Sequence, residues 1–132
     1  MSEDSRLVCI NSQVEYFSGI FEKLDYIKDI GFQTVWIQSF FKSPMVDFGF
    51  DVTDYKTVDP TYGSMDDLRR LVDAIHGKGM KVLFDFIPNH TSDDSEWFKK
   101  SVNREDQYKD FTSGEIRKVI MQIIVLYLQL IG

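Results

Sequence analysis

Reactive side chains are scarce in this sequence. Of 132 residues, one is a cysteine, Cys9, and two are histidines, His76 and His90. A single thiol cannot close an intramolecular disulfide, so the chain carries no sign of an oxidising compartment. So few imidazoles leave no basis for a histidine-rich metal site, and no metal or other cofactor is expected. Positive charge is also short: 15 lysines and arginines face 21 acids, for a net charge of −6. Binding to nucleic acid needs basic stripes over phosphates, so that function is excluded. No apolar run is long enough to cross a membrane. The best is residues 119–131, apolar except for Gln122 and Gln129, and a spanning helix needs about 20 such residues. The first six residues are polar and acidic, without the basic start and apolar core of a signal peptide. Neither a signal peptide nor a transmembrane helix is expected here. There is no internal repeat and no low-complexity segment.

Core-forming material is ample, at 43% hydrophobic and 14% aromatic residues. Leu7-Val8-Cys9-Ile10 is a short strand candidate. From Phe17 the apolar period becomes helical, through Ile20, Phe21, Leu24, Ile27 and Ile30, with charged residues on the other face. Gly31 is a natural stop. Thr34-Val35-Trp36-Ile37 has the composition of a parallel strand covered on both faces. Residues 41–63 read as a long loop. Ser64 then caps a second helix, with Asp67 three residues on as in a capping box. Its stripe is Met65, Leu68, Leu71, Val72 and Ile75, and Gly77 and Gly79 end it. Residues 81–87 form another buried-type strand with an out-of-place acid, Asp85, and Pro88 stops it. A short helix follows near residues 95–100. Helix, strand, helix, strand is the βαβ order of a parallel sheet, so the strands at Thr34 and Lys81 should be parallel neighbours.

Two stretches carry chemistry. Asp85-Phe86-Ile87-Pro88-Asn89-His90 sets an acid, an amide and an imidazole at the C-terminal end of a parallel strand, where α/β proteins bind ligands. The alternative is a satisfied acid and an ordinary turn. The loop from Ser43 to Tyr55 mixes acids with aromatic rings. Sugars need that pairing: carboxylates bond hydroxyls and flat rings cover the apolar face of a pyranose. An acidic surface loop with rings tucked into the core has the same composition. Asp47-Phe48-Gly49 spells a kinase metal-binding tripeptide, but the glycine-rich loop and His-Arg-Asp of a kinase are missing.

Phe41-Lys42-Ser43-Pro44-Met45, Asp47-Phe48-Gly49-Phe50-Asp51, Asp54-Tyr55, Asp59-Pro60, Tyr62-Gly63-Ser64-Met65-Asp66-Asp67-Leu68 and Asp85-Phe86-Ile87-Pro88-Asn89-His90-Thr91-Ser92 together resemble glycoside hydrolase family 13, the α-amylase family. Within it the sequence looks like maltases and oligo-α-glucosidases, and like the heavy chains of heteromeric amino-acid transporters. The resemblance runs from about residue 20 to about residue 111. It implies an α/β fold, a partial (β/α)8 barrel from about helix 1 to strand 3. Residues 17–30 would be helix 1, 34–40 strand 2, 64–78 helix 2 and 81–86 strand 3. The domain division it implies is a divergent segment over 1–16, partial catalytic barrel over 17–111 and a divergent apolar tail over 112–132.

By the same resemblance, Asp47 bonds hydroxyls of the sugar, Phe50 stacks under it, His90 bonds it, and Asp85 helps order the charged centre. Asn89 supports the turn. These groups are expected together at the C-terminal ends of the strands. Phe50 stands where the family usually has tyrosine, keeping the ring and losing the hydroxyl. The acidic calcium-type loop of many relatives is replaced by Asn11-Ser12-Gln13-Val14-Glu15-Tyr16. Retaining glycoside hydrolysis needs two facing carboxylates, and the family takes both from later strands, so no catalytic residue is assigned. The expectation is a piece of an α-glucosidase-type hydrolase acting on α-glucosides or maltooligosaccharides, inactive alone, whose parent is secreted or at the cell surface. The alternative is a piece of a non-catalytic transporter heavy chain, partnered by a transporter light chain. Trp36-Ile37-Gln38-Ser39-Phe40 points that way, and the Ser-Pro-Met and Asp-Phe-Gly-Phe-Asp runs point to the hydrolases.

Overall fold

The structure is a computed structural model, and it describes residues 6–10 and 17–109. The expectations for residues 11–16 and for the apolar tail over 112–132 lie outside the described residues. In chain order the elements are β1 (Leu7–Ile10), α1 (Phe17–Asp29), β2 (Thr34–Ile37), β3 (Phe41–Lys42), β4 (Asp54–Val58), α2 (Met65–Gly77), β5 (Lys81–Phe84) and α3 (Glu96–Val102).

These residues fall into two compact units. The first holds the described residues up to 40 together with 59–85. Its frame is a three-stranded parallel sheet in the order β1-β2-β5. Leu7 pairs with Thr34 and Thr34 with Lys81, in an unbroken register that runs to Ile10, Ile37 and Phe84. The expected parallel neighbours are therefore present, with α2 in the connection between them. Strand β2 lies in the middle, and its Thr34, Val35 and Ile37 are buried.

Helix α1 follows its apolar period and buries Phe17, Ile20, Leu24 and Ile27. The stripe is narrower than expected, because Phe21 and Ile30 are exposed. Phe21 lies beside the stripe and Ile30 lies past the last helical residue. Gly31, at φ 94°, turns the chain where a side chain would be strained. Helix α2 begins as its sequence requires. The Ser64 hydroxyl accepts from the Asp67 amide at 3.1 Å, and the Asp67 carboxylate accepts from the Ser64 amide at 2.8 Å. Both satisfy donors that the first helical turn leaves open. Leu68, Leu71, Val72 and Ile75 are buried, and α2 packs against α1 and β5. Phe17, Phe40, Tyr62 and Phe84 form an aromatic cluster, with Phe40 edge-on to Phe84 at 5.1 Å.

The strands are shorter than expected. Strand β2 ends at Ile37 rather than at residue 40, and β5 at Phe84 rather than at 86 or 87. Asp85 thus stands just past its strand and not inside it. Strand β5 is not covered on both faces either: Leu83 is 49% exposed. Among the described residues β5 pairs with β2 alone, so it is an edge.

The second unit holds residues 41–58 and the described residues from 86 on. Here the expected loop over 41–63 contains a hairpin, with β3 and β4 antiparallel and irregular between Phe41 and Lys42. A two-residue strand leaves no periodic trace in a sequence. Helix α3 is capped by Ser95, whose hydroxyl accepts from the Trp97 amide. Among the described residues no helix is long and apolar enough to cross a membrane.

Candidate functional site

The loop between β3 and β4 is held from within by one carboxylate. Asp51 accepts from the Ser43 hydroxyl at 2.7 Å, the Val46 amide at 3.0 Å and the Asp47 amide at 3.1 Å. Partial burial pushes the Asp51 carboxyl up. The hydrogen bonds from Ser43 and from backbone at Asp47, Asp51 and Val46 together outweigh that and hold it below the usual carboxylate value. Within this frame the Phe50 amide donates to the Asp47 carbonyl at 2.9 Å, closing a reverse turn over 47–50. Its central residues, Phe48 at φ 51° and Gly49 at φ 88°, are both left-handed. That is the pattern of a type I′ turn, which favours Asn or Gly at its first central position. Phenylalanine is costly there.

Asp47 is exposed, and its carboxylate has no hydrogen-bond or ion-pair partner among the described residues. Beside it, Phe48 is 71% and Val46 84% exposed. Phe50 is half-buried, and its carbonyl faces the His90 Nε2 at 3.2 Å. A carbonyl can only accept, so Nε2 carries the proton, and the Asn89 amide at 3.2 Å donates to Nδ1. This hydrogen-bond set engages both ring nitrogens.

Tyr55 fixes the backbone beneath. Its buried hydroxyl lies 2.8 Å from the Ile87 carbonyl and 2.9 Å from the His90 carbonyl and shares its proton between them. Burial raises its pKa far above the ordinary tyrosine value. Its ring stacks on Trp97 at 5.5 Å, and the Ser92 amide donates to the Val52 carbonyl. Sequence reasoning placed Tyr55 in the loop without seeing this role. A tyrosine between the polar Asp54 and Lys56 of β4 was the available signal, since buried phenols seek acceptors.

Asp47, Phe50, Asn89 and His90 thus belong to the second unit, and the structure joins Phe50, Asn89 and His90 directly. Asp85 belongs to the first. Its carboxylate accepts from the Trp36 indole at 2.7 Å and from the Ser39 amide at 3.2 Å. Both oxygens are therefore tied to β2 and the residues just after it.

Parallel strands joined through helices, as in β1, β2 and β5, are the architecture of part of an α/β barrel. Comparison with known proteins gives the family. Residues 11–122 match the α-amylase catalytic domain. The chain is 49% identical over 94 residues to Maltase A1 of Drosophila melanogaster, covering 71% of this chain and 16% of that protein. It is 52% identical over 93 residues to the amino acid transporter heavy chain SLC3A1 of Rattus norvegicus, covering 70% and 14%. Among solved structures, trehalose-6-phosphate hydrolase of Bacillus licheniformis aligns with a TM-score of 0.78 at 33% identity, over 82% of this chain and 21% of that one. The chain belongs to the α-amylase family, glycoside hydrolase family 13, and its fold is a part of the family's (β/α)8 barrel. It spans less than a fifth of the length of these curated relatives.

Proposed function

We propose that these residues belong to an α-glucosidase-type hydrolase of α-linked glucosides, in which they bind sugar without cutting it. The observation that carries this reading is the loop over 43–51. An exposed Asp47 carboxylate, unpartnered among the described residues, stands between Val46 and Phe48 on a loop stapled by Asp51, in a chain 49% identical to a maltase. In this reading Asp47 and His90 bond sugar hydroxyls and Phe50 lies against the sugar. Asn89 orients the imidazole, and Asp85, held by Trp36, helps order the charged centre. His90 would exchange its Phe50 carbonyl partner for a hydroxyl. The barrel part is residues 17–111, and the ligand is an α-glucoside or maltooligosaccharide. Positioned binding groups cannot replace a nucleophile and an acid facing each other across the bond. Residues 1–132 alone should therefore release no glucose from maltose or a chromogenic α-glucoside. Turnover above a buffer control that His90→Ala abolishes would overturn this and place the chemistry in these acids.

A second reading is supported by the 52% identity to the transporter heavy chain. There the segment would serve a non-catalytic scaffold that partners a transporter light chain at the cell surface. Maltose titration separates the two: the hydrolase reading requires binding that Asp47→Ala weakens, and the scaffold reading requires none.

A further inference from the structure

The ring at position 48 has no place in the site described so far, and its backbone, like that of Met45 at φ 61°, is left-handed without being glycine. Phe48 occupies the first central position of a turn with two positive φ angles, where asparagine or glycine is at ease. Its side chain is not compensated by burial, since 71% of it is exposed, and the flanking Val46 is 84% exposed. The staple from Asp51 takes the hydroxyl of Ser43 and the amides of Val46 and Asp47. That staple ties the backbone on the two sides of the turn together. Strain retained at a surface turn is a signature of a functional contact.

We infer that Phe48 is a sugar platform beside Asp47, lying against the pyranose unit next to the one whose hydroxyls Asp47 takes. The inference rests on the sugar-binding reading of Asp47 and extends it to a second unit. Neighbouring residues of a tight turn send their side chains in different directions. The carboxylate and the ring therefore serve two successive units of an oligosaccharide rather than two sides of one. An exposed flat ring matches the apolar face of a pyranose, and Val46 widens that surface. The consequence is a preference for two-ring over one-ring ligands, set by Phe48 and not by Phe50.

The test uses the 132-residue chain, with glucose and maltose titrated separately and followed by nuclear magnetic resonance. Phe48→Asn suits the turn and removes only the ring, so it should fold at least as well as the parent. It should reduce the maltose-over-glucose preference by about fivefold to tenfold, while Phe48→Tyr keeps it. Asp47→Asn should weaken both sugars. If Phe48→Asn leaves the preference intact while Asp47→Asn weakens both, the platform is wrong and the sugar site stands. If Phe48→Asn weakens glucose as much as maltose, the ring acts on the loop and not on a second unit, and the inference fails. If the parent binds neither sugar, the sugar reading fails and the platform with it.

Discussion

Asp51 shows how much of a loop one side chain can hold. It makes no contact that the sequence pattern foretold, yet three donors converge on it. Asp51→Ala leaves those donors to water or to nothing and should cost about 1–3 kcal/mol in urea unfolding. Asp51→Asn keeps one acceptor oxygen and should cost less. The carboxyl is held below its usual value, as is that of Asp67, through the Ser64 hydroxyl and amide first and Arg70 last. A group whose pKa is lower in the folded state contributes stability above its unfolded value, about 3.9 for aspartate. That stability is lost as pH falls through the lower folded value. Stability should therefore drop below about pH 4, and the Asp51→Asn, Asp67→Asn pair should flatten the drop. An unchanged acid limb in that pair would rule these two carboxyls out. At this scale the sequence exposed residue types and hid roles. A motif singles out Asp47, Phe50 and His90, and the structure brings Phe50 and His90 together. The roles of Asp51 and Tyr55 were not readable, because their work is hydrogen bonding across 4 to 8 and 32 to 35 residues.

Among the elements, α2 was the most legible, since cap, stripe and stop are all local. Gly63 adds a constraint just ahead of the cap. At φ 134° an added methyl would come within 3.2 Å of the Asp67 carboxylate and of the Phe17 ring. Gly63→Ala should destabilise by about 1–3 kcal/mol, and Ser64→Ala by about 1 kcal/mol. Both disturb Asp67, so the double variant should cost less than the sum. Strict additivity in thermal melts would show that the two act separately. The β3–β4 hairpin was illegible for the opposite reason. It depends on pairing Phe41 with Val58 and Lys42 with Asp54 across a polar loop. Strand ends were misjudged by two or three residues for a related reason, because apolar composition continues where the ladder of β2 and β5 stops.

For the molecule as a whole, the family and the parallel order were legible, and which side chains the outer strands expose was not. Composition cannot reveal that β1 and β5 each pair only with β2 among the described residues. Leu7 and Leu83 lie exposed on those outer strands. Unpaired edges with apolar side chains invite pairing with other chains. Leu83→Lys should therefore raise the soluble monomer fraction of residues 1–132 on size exclusion, with little loss of melting temperature. A parent chain that is already a monomer with a sharp transition would refute this.

The shared hydroxyl of Tyr55 also has a consequence in time. Its two carbonyl acceptors, at Ile87 and His90, are made more than thirty residues later. On a ribosome the phenol emerges first and stays in water until that turn follows it. The parallel sheet has all its described strands once Phe84 has emerged. The hairpin tyrosine meets its second carbonyl acceptor only at residue 90 and its stacking partner only at Trp97. Translation thus delivers the last described strand of the sheet before the two carbonyls that take the Tyr55 hydroxyl.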